Sequence, residues 1–305
     1  MNVFLTGGTG FIGSYVVKAL LDEEHTVSIL ARNPRKVPAL KKLPGVHIIE
    51  GTLSDFEIMR RNLPDKDAVI HVALGWGDTA VHMLHNDTLP SLFLMEQAAE
   101  ADVRHFIYTS STAAFGEPPD HVDENSITNP TDFYGATKAA TENYLLAVAS
   151  QYPMRCNIIR PGYTFGNPVI PGAAAQPDRR FHNLVKSALN NEDIEVIKYD
   201  GTQFIHAVDL AALFMAVLHA TVNKQVYLGL GTKFITWEEI ARQAIAATGS
   251  KSRIVIIDRG LSKEPKYYLV DKIKKHFKLS FTARDKISEH IDYLHKIIGL
   301  EKERL

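Results

Sequence analysis

The chain has 305 residues, 45% of them hydrophobic and 23% charged, and a formal net charge of -1. That is enough for one large core, or a core plus a smaller second unit, and it gives no overall electrostatic reason to expect nucleic acid or an anionic membrane as partner. A single cysteine, Cys156, rules out an internal disulfide and suits a reducing compartment, and no apolar run reaches the roughly 18 residues that a membrane crossing needs. Strand-like residues begin at Asn2, so no signal segment is expected and the chain is read as cytoplasmic.

The first element is a short apolar strand, Asn2 to Leu5, that breaks into Thr6-Gly7-Gly8-Thr9-Gly10-Phe11-Ile12-Gly13 and continues as an apolar-periodic helix. A dinucleotide site needs this order of parts. Gly7 lets the backbone turn, Gly10 lets it approach a pyrophosphate, Gly13 lets the helix pack closely on the strand, and the helix N-terminus offers unpaired N–H groups to phosphate. Thr26 to Ala31 reads as a second strand, ending at Arg32-Asn33-Pro34-Arg35-Lys36, where an NAD site carries an acid for the ribose hydroxyls. No acid stands there and three cations do, which favours NADP over NAD. The alternative is that Arg32 only stacks on the adenine.

Val46 to Gly51 and Asp67 to Ala73 read as the third and fourth strands, with an amphipathic helix between them. Asp55 is placed either to meet the adenine edge or to cap that helix. Ala73-Leu74-Gly75-Trp76-Gly77 leaves the fourth strand with small residues suited to a close ligand, and a long helix over about 79–101 carries Asn86. Val103 to Thr109 is a fifth strand running into Ser110-Ser111-Thr112, on the side of a parallel sheet where ligands bind. Prolines 118, 119 and 130 mark a surface loop, after which Asp132 opens a helix carrying Tyr134 and Lys138, one turn apart on one face. Met154 to Gly162 is a sixth strand.

Strand and helix alternate throughout this half, which requires a parallel sheet with helices on both faces. The pattern changes near Tyr163. Gly166 to Pro177 reads as a mobile loop, helices are predicted over 181–189, 208–219, 237–248 and 287–298, and a short strand over 225–228. His82 and His85 share a helical face without a third ligand, so no metal is expected. Cys156 reads as packed, and the basic run Lys272 to Lys278 as a solvated face.

Taken with Arg160-Pro161-Gly162 and Ile205-His206-Ala207-Val208-Asp209-Leu210-Ala211, these blocks, in order along nearly the whole chain, resemble the extended short-chain dehydrogenase/reductase family, in its nucleotide-sugar epimerase/dehydratase branch. The resemblance implies an α/β fold: a Rossmann-type doubly wound parallel sheet over 1–165 and a smaller C-terminal substrate-binding α/β region over 166–305, with about 204–228 returning to the core. It implies an NAD(P) cofactor and a Tyr134 general acid/base, with Lys138 lowering its pKa and holding the nicotinamide ribose and Ser111 bonding the reacting oxygen. Residues expected at the cofactor are Gly7, Thr9, Gly10, Phe11, Ile12, Gly13, Arg32, Thr52, Leu53, Ala73, Leu74, Asn86, Thr109, Arg160 and Gly162, besides Tyr134 and Lys138. A nucleotide sugar is the expected substrate and a homodimer the expected assembly.

Thr112 and Ala113 stand where dehydratases and decarboxylases of this branch carry acids, which disfavours elimination and leaves epimerisation or ketone/alcohol chemistry. Gln203 lies near the place of the usual diphosphate-binding Arg, and Arg179 or Arg180 could replace it. Gly75, Trp76 and Thr112 complete the expected substrate contacts. An NADPH-dependent carbonyl or alcohol oxidoreductase is the alternative activity, and a non-catalytic nucleotide sensor a more distant one.

Overall fold

The computed structural model describes residues 1–117 and 119–303, so Pro118 of the expected surface loop lies outside the described residues. The first half runs β1 (Asn2–Thr6), α1 (Phe11–Asp22), β2 (Thr26–Ala31), β3 (Val46–Glu50), α2 (Phe56–Asn62), β4 (Ala68–His71), α3 (Ala80–Met83), α4 (Leu89–Glu100), β5 (His105–Thr109), β6 (His121–Val122), α5 (Phe133–Gln151) and β7 (Arg155–Pro161). Between α3 and α4 the helix is continuous but widens into a π turn over Leu84–Thr88, where the periodicity predicts an unbroken α-helix.

The second half runs β8 (Thr164–Phe165), α6 (Arg180–Leu189), β9 (Ile194–Ile197), β10 (Gly201–Thr202), β11 (Ile205–His206), α7 (Ala207–His219), β12 (Gln225–Gly229), β13 (Ile235–Thr236), α8 (Trp237–Thr248), β14 (Ile254–Ile257), β15 (Tyr267–Tyr268), α9 (Asp271–Phe277) and α10 (Arg284–Glu303). Thr236 opens α8 as expected, through a capping box with Glu239.

Strands that are apolar at every position must be covered on both faces. The central sheet has the order β12-β7-β5-β4-β1-β2-β3, and every pairing in it is parallel. Successive side chains of a strand alternate between faces. Val3 and Leu5 of β1 therefore join Val17 and Leu20 of α1 and Leu210, Phe214 and Val217 of α7. Phe4, between them, faces the opposite way and joins Met59 of α2, Leu94 and Met95 of α4 and Leu145 of α5. A third cluster binds α6, α8 and α10 around Phe181, Trp237, Ile240 and Ile287.

Chain order in the sheet reverses between β1 and β4, and a ligand crevice opens outside the strand ends at such a switch point. Both α7, against α1, and β12, at the sheet edge, come from the second half of the chain.

The 166–177 segment is tied down rather than loose. Ile170 is buried in the core beside α1, the Ala174 amide donates to the Thr9 carbonyl at 3.1 Å, and Gln176 donates to the Tyr163 hydroxyl at 3.0 Å. The β9–β14 pairing escapes the pattern because two four-residue runs, far apart in sequence, are too short to show a period.

Candidate functional site

The glycine turn depends on two close approaches. Gly7 sits in the left-handed region at φ +76, and a Cβ there would press on the Ala73 amide at 2.6 Å, while one on Gly13 would overlap the Gly7 carbonyl. The turn thus sets α1 directly on the end of β1. Its N-cap, Gly10, offers no side-chain cap, so the first-turn amides of α1 face outward without protein partners of that kind.

From this turn a cleft of about 700 Å³ runs across the carboxyl ends of the strands. β1 gives it Thr6 and the turn from Gly7 to Gly13, β2 gives Leu30 and Arg32, and the segment after β3 gives Gly51, Thr52, Leu53 and Ser54. Val72 to Trp76 follow from β4, Thr109 and Ser110 from β5, and Pro161 from β7. Asn86 reaches it from the π turn, and Tyr134 and Lys138 from α5. A cleft that combines uncapped helix amides, a strand-end arginine and hydroxyls at the far end fits a dinucleotide in donor chemistry. The Thr109 and Ser110 hydroxyls are buried there without a hydrogen-bond partner, as groups awaiting a ligand would be.

At the adenosine end, Arg32 is exposed on the cleft wall. Asp55 is not on that wall, and its side chain does not cap α2. Its carboxylate accepts from the Thr52 amide at 2.5 Å and the Thr52 hydroxyl at 2.8 Å, and these bonds hold it below the usual carboxylate range. At the other end, Trp76 is 62% exposed and its ring centroid lies 6.4 Å from that of Tyr134. Lys138 is buried beneath, with its ammonium 5.8 Å from the Tyr134 ring centroid and 5.0 Å from that of Tyr108. Burial works against that ammonium, but Tyr108, Asp87 and Tyr134 around it outweigh burial and hold it charged, above the usual lysine range.

Below the site, His71 bonds Thr6 Oγ1 at 2.5 Å and Ser91 Oγ at 2.8 Å. Burial, with the Lys138 charge nearby, pushes it down to about 3, so it is neutral at ordinary pH. Asp87 and His71 went unnoticed in the sequence, and Ser110 stood out only as one of the strand-end hydroxyls Ser110-Ser111-Thr112. An aspartate inside a helix reads as a solvated side chain, and nothing local marks the π turn that buries this one.

Several expected contacts lie elsewhere. Ser111 is not on the cleft wall; its hydroxyl accepts from the Ala113 amide at 3.1 Å, one residue beyond the cleft-lining Ser110. Arg160 turns away from the cleft and forks onto Glu142, with both side chains buried at 2.8 and 2.5 Å and the guanidinium stacked on Phe115. Gly162 makes room for Leu230 rather than for a ligand, and neighbouring Pro161 lines the cleft instead.

Gln203 is buried and fully used. It donates to the Gly231 and Tyr268 carbonyls at 2.9 Å each and accepts from the Tyr268 amide at 2.6 Å, which pins β15 and leaves nothing for a diphosphate. Thr112 pairs with Tyr268 as well. Arg180 is bound to Asp178 at 2.9 Å and lies over the Tyr163 and Trp237 rings, while exposed Arg179 contacts His182.

Cys156 is packed, as expected, and burial pushes its thiol up to about 12. His82 and His85 form no metal cluster among the described residues. The grouping there with ligand geometry is Glu23, His25 and His219, beside the amino end of β2 and away from the cleft, and its closest pair, Glu23 and His219, is already hydrogen-bonded at 2.5 Å.

The family model of the NAD dependent epimerase/dehydratase family matches residues 3–229, which spans the whole cleft. The chain belongs to that family. Relatives agree with the assignment. A UDP-glucose 4-epimerase of Neisseria meningitidis serogroup A is 32% identical over 256 residues, covering 73% of this chain and 74% of its own. An uncharacterized protein of Saccharomyces cerevisiae is 26% identical over 258 residues, covering 79% of this chain and 78% of its own. In fold, the chain is similar to a UDP-glucuronic acid 4-epimerase of Bacillus cereus, solved with UDP-glucuronic acid and NAD. That likeness has a TM-score of 0.82 at 20% identity and covers 97% of this chain and all of that one. This NAD-dependent epimerase/dehydratase family member thus places its strand-end turn and its Tyr-Lys pair at the two ends of one cleft. None of its described helices is long and apolar enough to cross a membrane.

Proposed function

We propose that the chain is a nucleotide-sugar epimerase that works by transient hydride transfer with NAD(P), and that it prefers NADP. The observation that carries the activity is the convergence of Tyr134 and buried Lys138, from one turn of α5, at the end of the cleft opposite Arg32. The curated epimerase relative supports a nucleoside diphosphate sugar as substrate. The cofactor preference is supported by Arg32 on the adenosine side, where the chain has no acid to receive the ribose hydroxyls.

A bound nicotinamide supplies the hydride acceptor and, in the return step, the donor. The chain supplies the rest. Tyr134 takes the proton of the sugar hydroxyl as the ketone forms and gives it back after the ketone has turned its other face. Lys138 keeps positive charge behind the Tyr134 oxygen and offers N–H donors toward the ribose. Trp76, beside Tyr134 and largely exposed, covers the sugar. With no acid at Thr112 or Ala113, no second proton-transfer group stands ready for elimination.

Exposed Leu84 and Leu89 on the α3–α4 stretch and Tyr144 on α5 support a homodimer built across these helices. Buried Cys156 suits a reducing, cytoplasmic setting.

The test is to incubate the purified chain and NADP with a panel of uridine and thymidine diphosphate sugars and follow inversion by NMR. The expected result is a mixture of two epimers with no net change in reduced-nicotinamide absorbance. Stoichiometric loss of that absorbance with a ketone, and inversion of no sugar, would replace this reading with a carbonyl reductase.

A further inference from the structure

The helical stretch that begins at Ala80 widens at Leu84–Thr88. A π turn holds one residue more than an α turn and re-aims side chains without ending the helix, which is why such turns recur at functional sites. Here two consecutive residues of the turn both reach the site. Asn86 lines the cleft and donates to the Trp76 carbonyl at 2.8 Å, whereas Asp87 is wholly buried. Asp87 Oδ1 accepts from the Gly75 amide at 2.7 Å. Its Oδ2 has no hydrogen-bond partner and lies 3.7 Å from Lys138 Nζ, on a side chain 2% exposed.

Stability of the fold does not account for this pair. A buried carboxylate and ammonium generally stabilise a protein no better than apolar side chains of the same size, although removing one partner alone is costly. The surroundings of Lys138 suggest another reason. Facing its ammonium are the Tyr108 ring from β5, the Tyr134 ring from α5, His71 from β4, kept neutral by burial, and Asp87 from the π turn. Among the described residues, Asp87 is the carboxylate ion-paired with that ammonium.

We propose that Asp87 is a positioning residue whose carboxylate holds the Lys138 ammonium with one oxygen and the Gly75 amide with the other. The cation behind Tyr134 and the loop that carries Trp76 are then set by one buried group. The inference rests on the reading of Tyr134 and Lys138 as the proton-transfer pair. Lys138 cannot swing into the cleft, nor Gly75 lift away, without leaving a buried negative charge unpaired. The contact with Gly75 has no slack, since a Cβ there would overlap the Asn86 carbonyl. The same carboxylate offsets part of the positive field that Lys138 exerts on the Tyr134 oxygen.

The test compares wild type, Asp87→Asn and Asp87→Ala by two measurements. The first is amide exchange in the cofactor-free protein. The Gly75 amide should be protected in wild type and nearly so in Asp87→Asn, which keeps an acceptor oxygen, and should exchange about tenfold faster in Asp87→Ala, the size expected for one lost hydrogen bond to a charged group. The second is the pH profile of turnover. Asp87→Asn should move the acid limb of kcat to lower pH by about one unit, through loss of the offsetting charge, with a smaller change in KM.

A Gly75 amide that exchanges as fast in wild type as in Asp87→Ala would overturn the proposal, as would an Asp87→Asn profile superimposable on that of wild type. If no sugar is turned over, the proposed activity fails while the exchange measurement still decides the tether. If Asp87→Asn does not fold, unprotected Gly75 in wild type overturns the proposal and protected Gly75 supports it.

Discussion

The glycine turn and the flank formed by the second half of the chain are built by different means. At the glycine turn the ligand-facing groups are backbone, and the side chains that matter are the ones missing at Gly7 and Gly13. On the flank formed by the second half of the chain, the polar side chains are present but committed to one another, Gln203 to Tyr268 and Gly231 and Arg180 to Asp178. A backbone site can be read from glycine spacing, because few other residues tolerate those positions. A side-chain site depends on which partner each group has found, and partners distant in sequence are not visible in it.

The most severe way to probe the contrast is at the end of the cleft where Tyr134 stands. Tyr134→Phe removes the proton-transferring oxygen and should lower kcat by about 10²- to 10⁴-fold. If the turn, and not the phenol, holds the cofactor as proposed, affinity for reduced nicotinamide dinucleotide, measured by fluorescence, should change less than about threefold. A parallel loss of cofactor affinity would mean that the two ends are not separable.

Acid probes the same contrast through histidines. Burial pushes His105, His206 and His290 down to about 4, from an ordinary 6.5, so each is neutral in the fold and takes up its proton more readily when the chain unfolds. A folded-state value below the unfolded one means that stability present above pH 6.5 is lost as pH falls from 6.5 toward 4. For a well-buried group such as His290, that loss is about 3 kcal/mol by pH 4. His290 bonds Asn167 at 2.6 Å and sits against Phe165 and Phe181, so the second-half flank should loosen as it charges. His290→Asn should flatten the fall in denaturant midpoint between pH 6.5 and 4, and an unchanged slope would remove His290 from the account.

A matched pair of substitutions separates backbone fit from side-chain commitment. Gly13→Ala forces a methyl group onto the Gly7 carbonyl and should destabilise by about 2 to 3 kcal/mol, with a large loss of cofactor affinity. Gln203→Ala leaves the Tyr268 amide and two carbonyls without partners and should cost about 2 kcal/mol. Its KM should stay at the wild-type value, since the side chain never reaches the cleft. A selective rise in KM would restore Gln203 as a substrate contact.

Much of the parallel sheet and of the cleft rim was legible in the sequence, because each strand announces itself by an apolar run and each cleft-lining segment follows directly from a strand end. Tyr134 and Lys138 were legible for a similar reason, being one helical turn apart. Arg160 and Gly162 were placed at the cofactor by family resemblance, but the choice between cleft and core there was made by Glu142 and Leu230, which no local pattern connects to them. The π turn was invisible, since one extra residue in a helix leaves the apolar spacing nearly intact, yet it decides that Asp87 is inside and Asn86 outside.

The smallest expected effect tests the one place near the glycine turn where, in the proposed reading, a side chain and not backbone sets the cofactor preference. Arg32 is exposed, so its contact with a 2′-phosphate would be partly screened by solvent and worth about 1 kcal/mol, or roughly a fivefold to tenfold preference. Arg32→Ala should therefore weaken NADPH binding by about that factor and leave NADH binding nearly unchanged. The difference should shrink as salt is raised, because the charges meet at the cleft mouth. Equal loss for both dinucleotides would mean that the guanidinium stacks on adenine and does not read the phosphate. The cofactor end would then be governed by backbone throughout, and the contrast with the second-half flank would be complete.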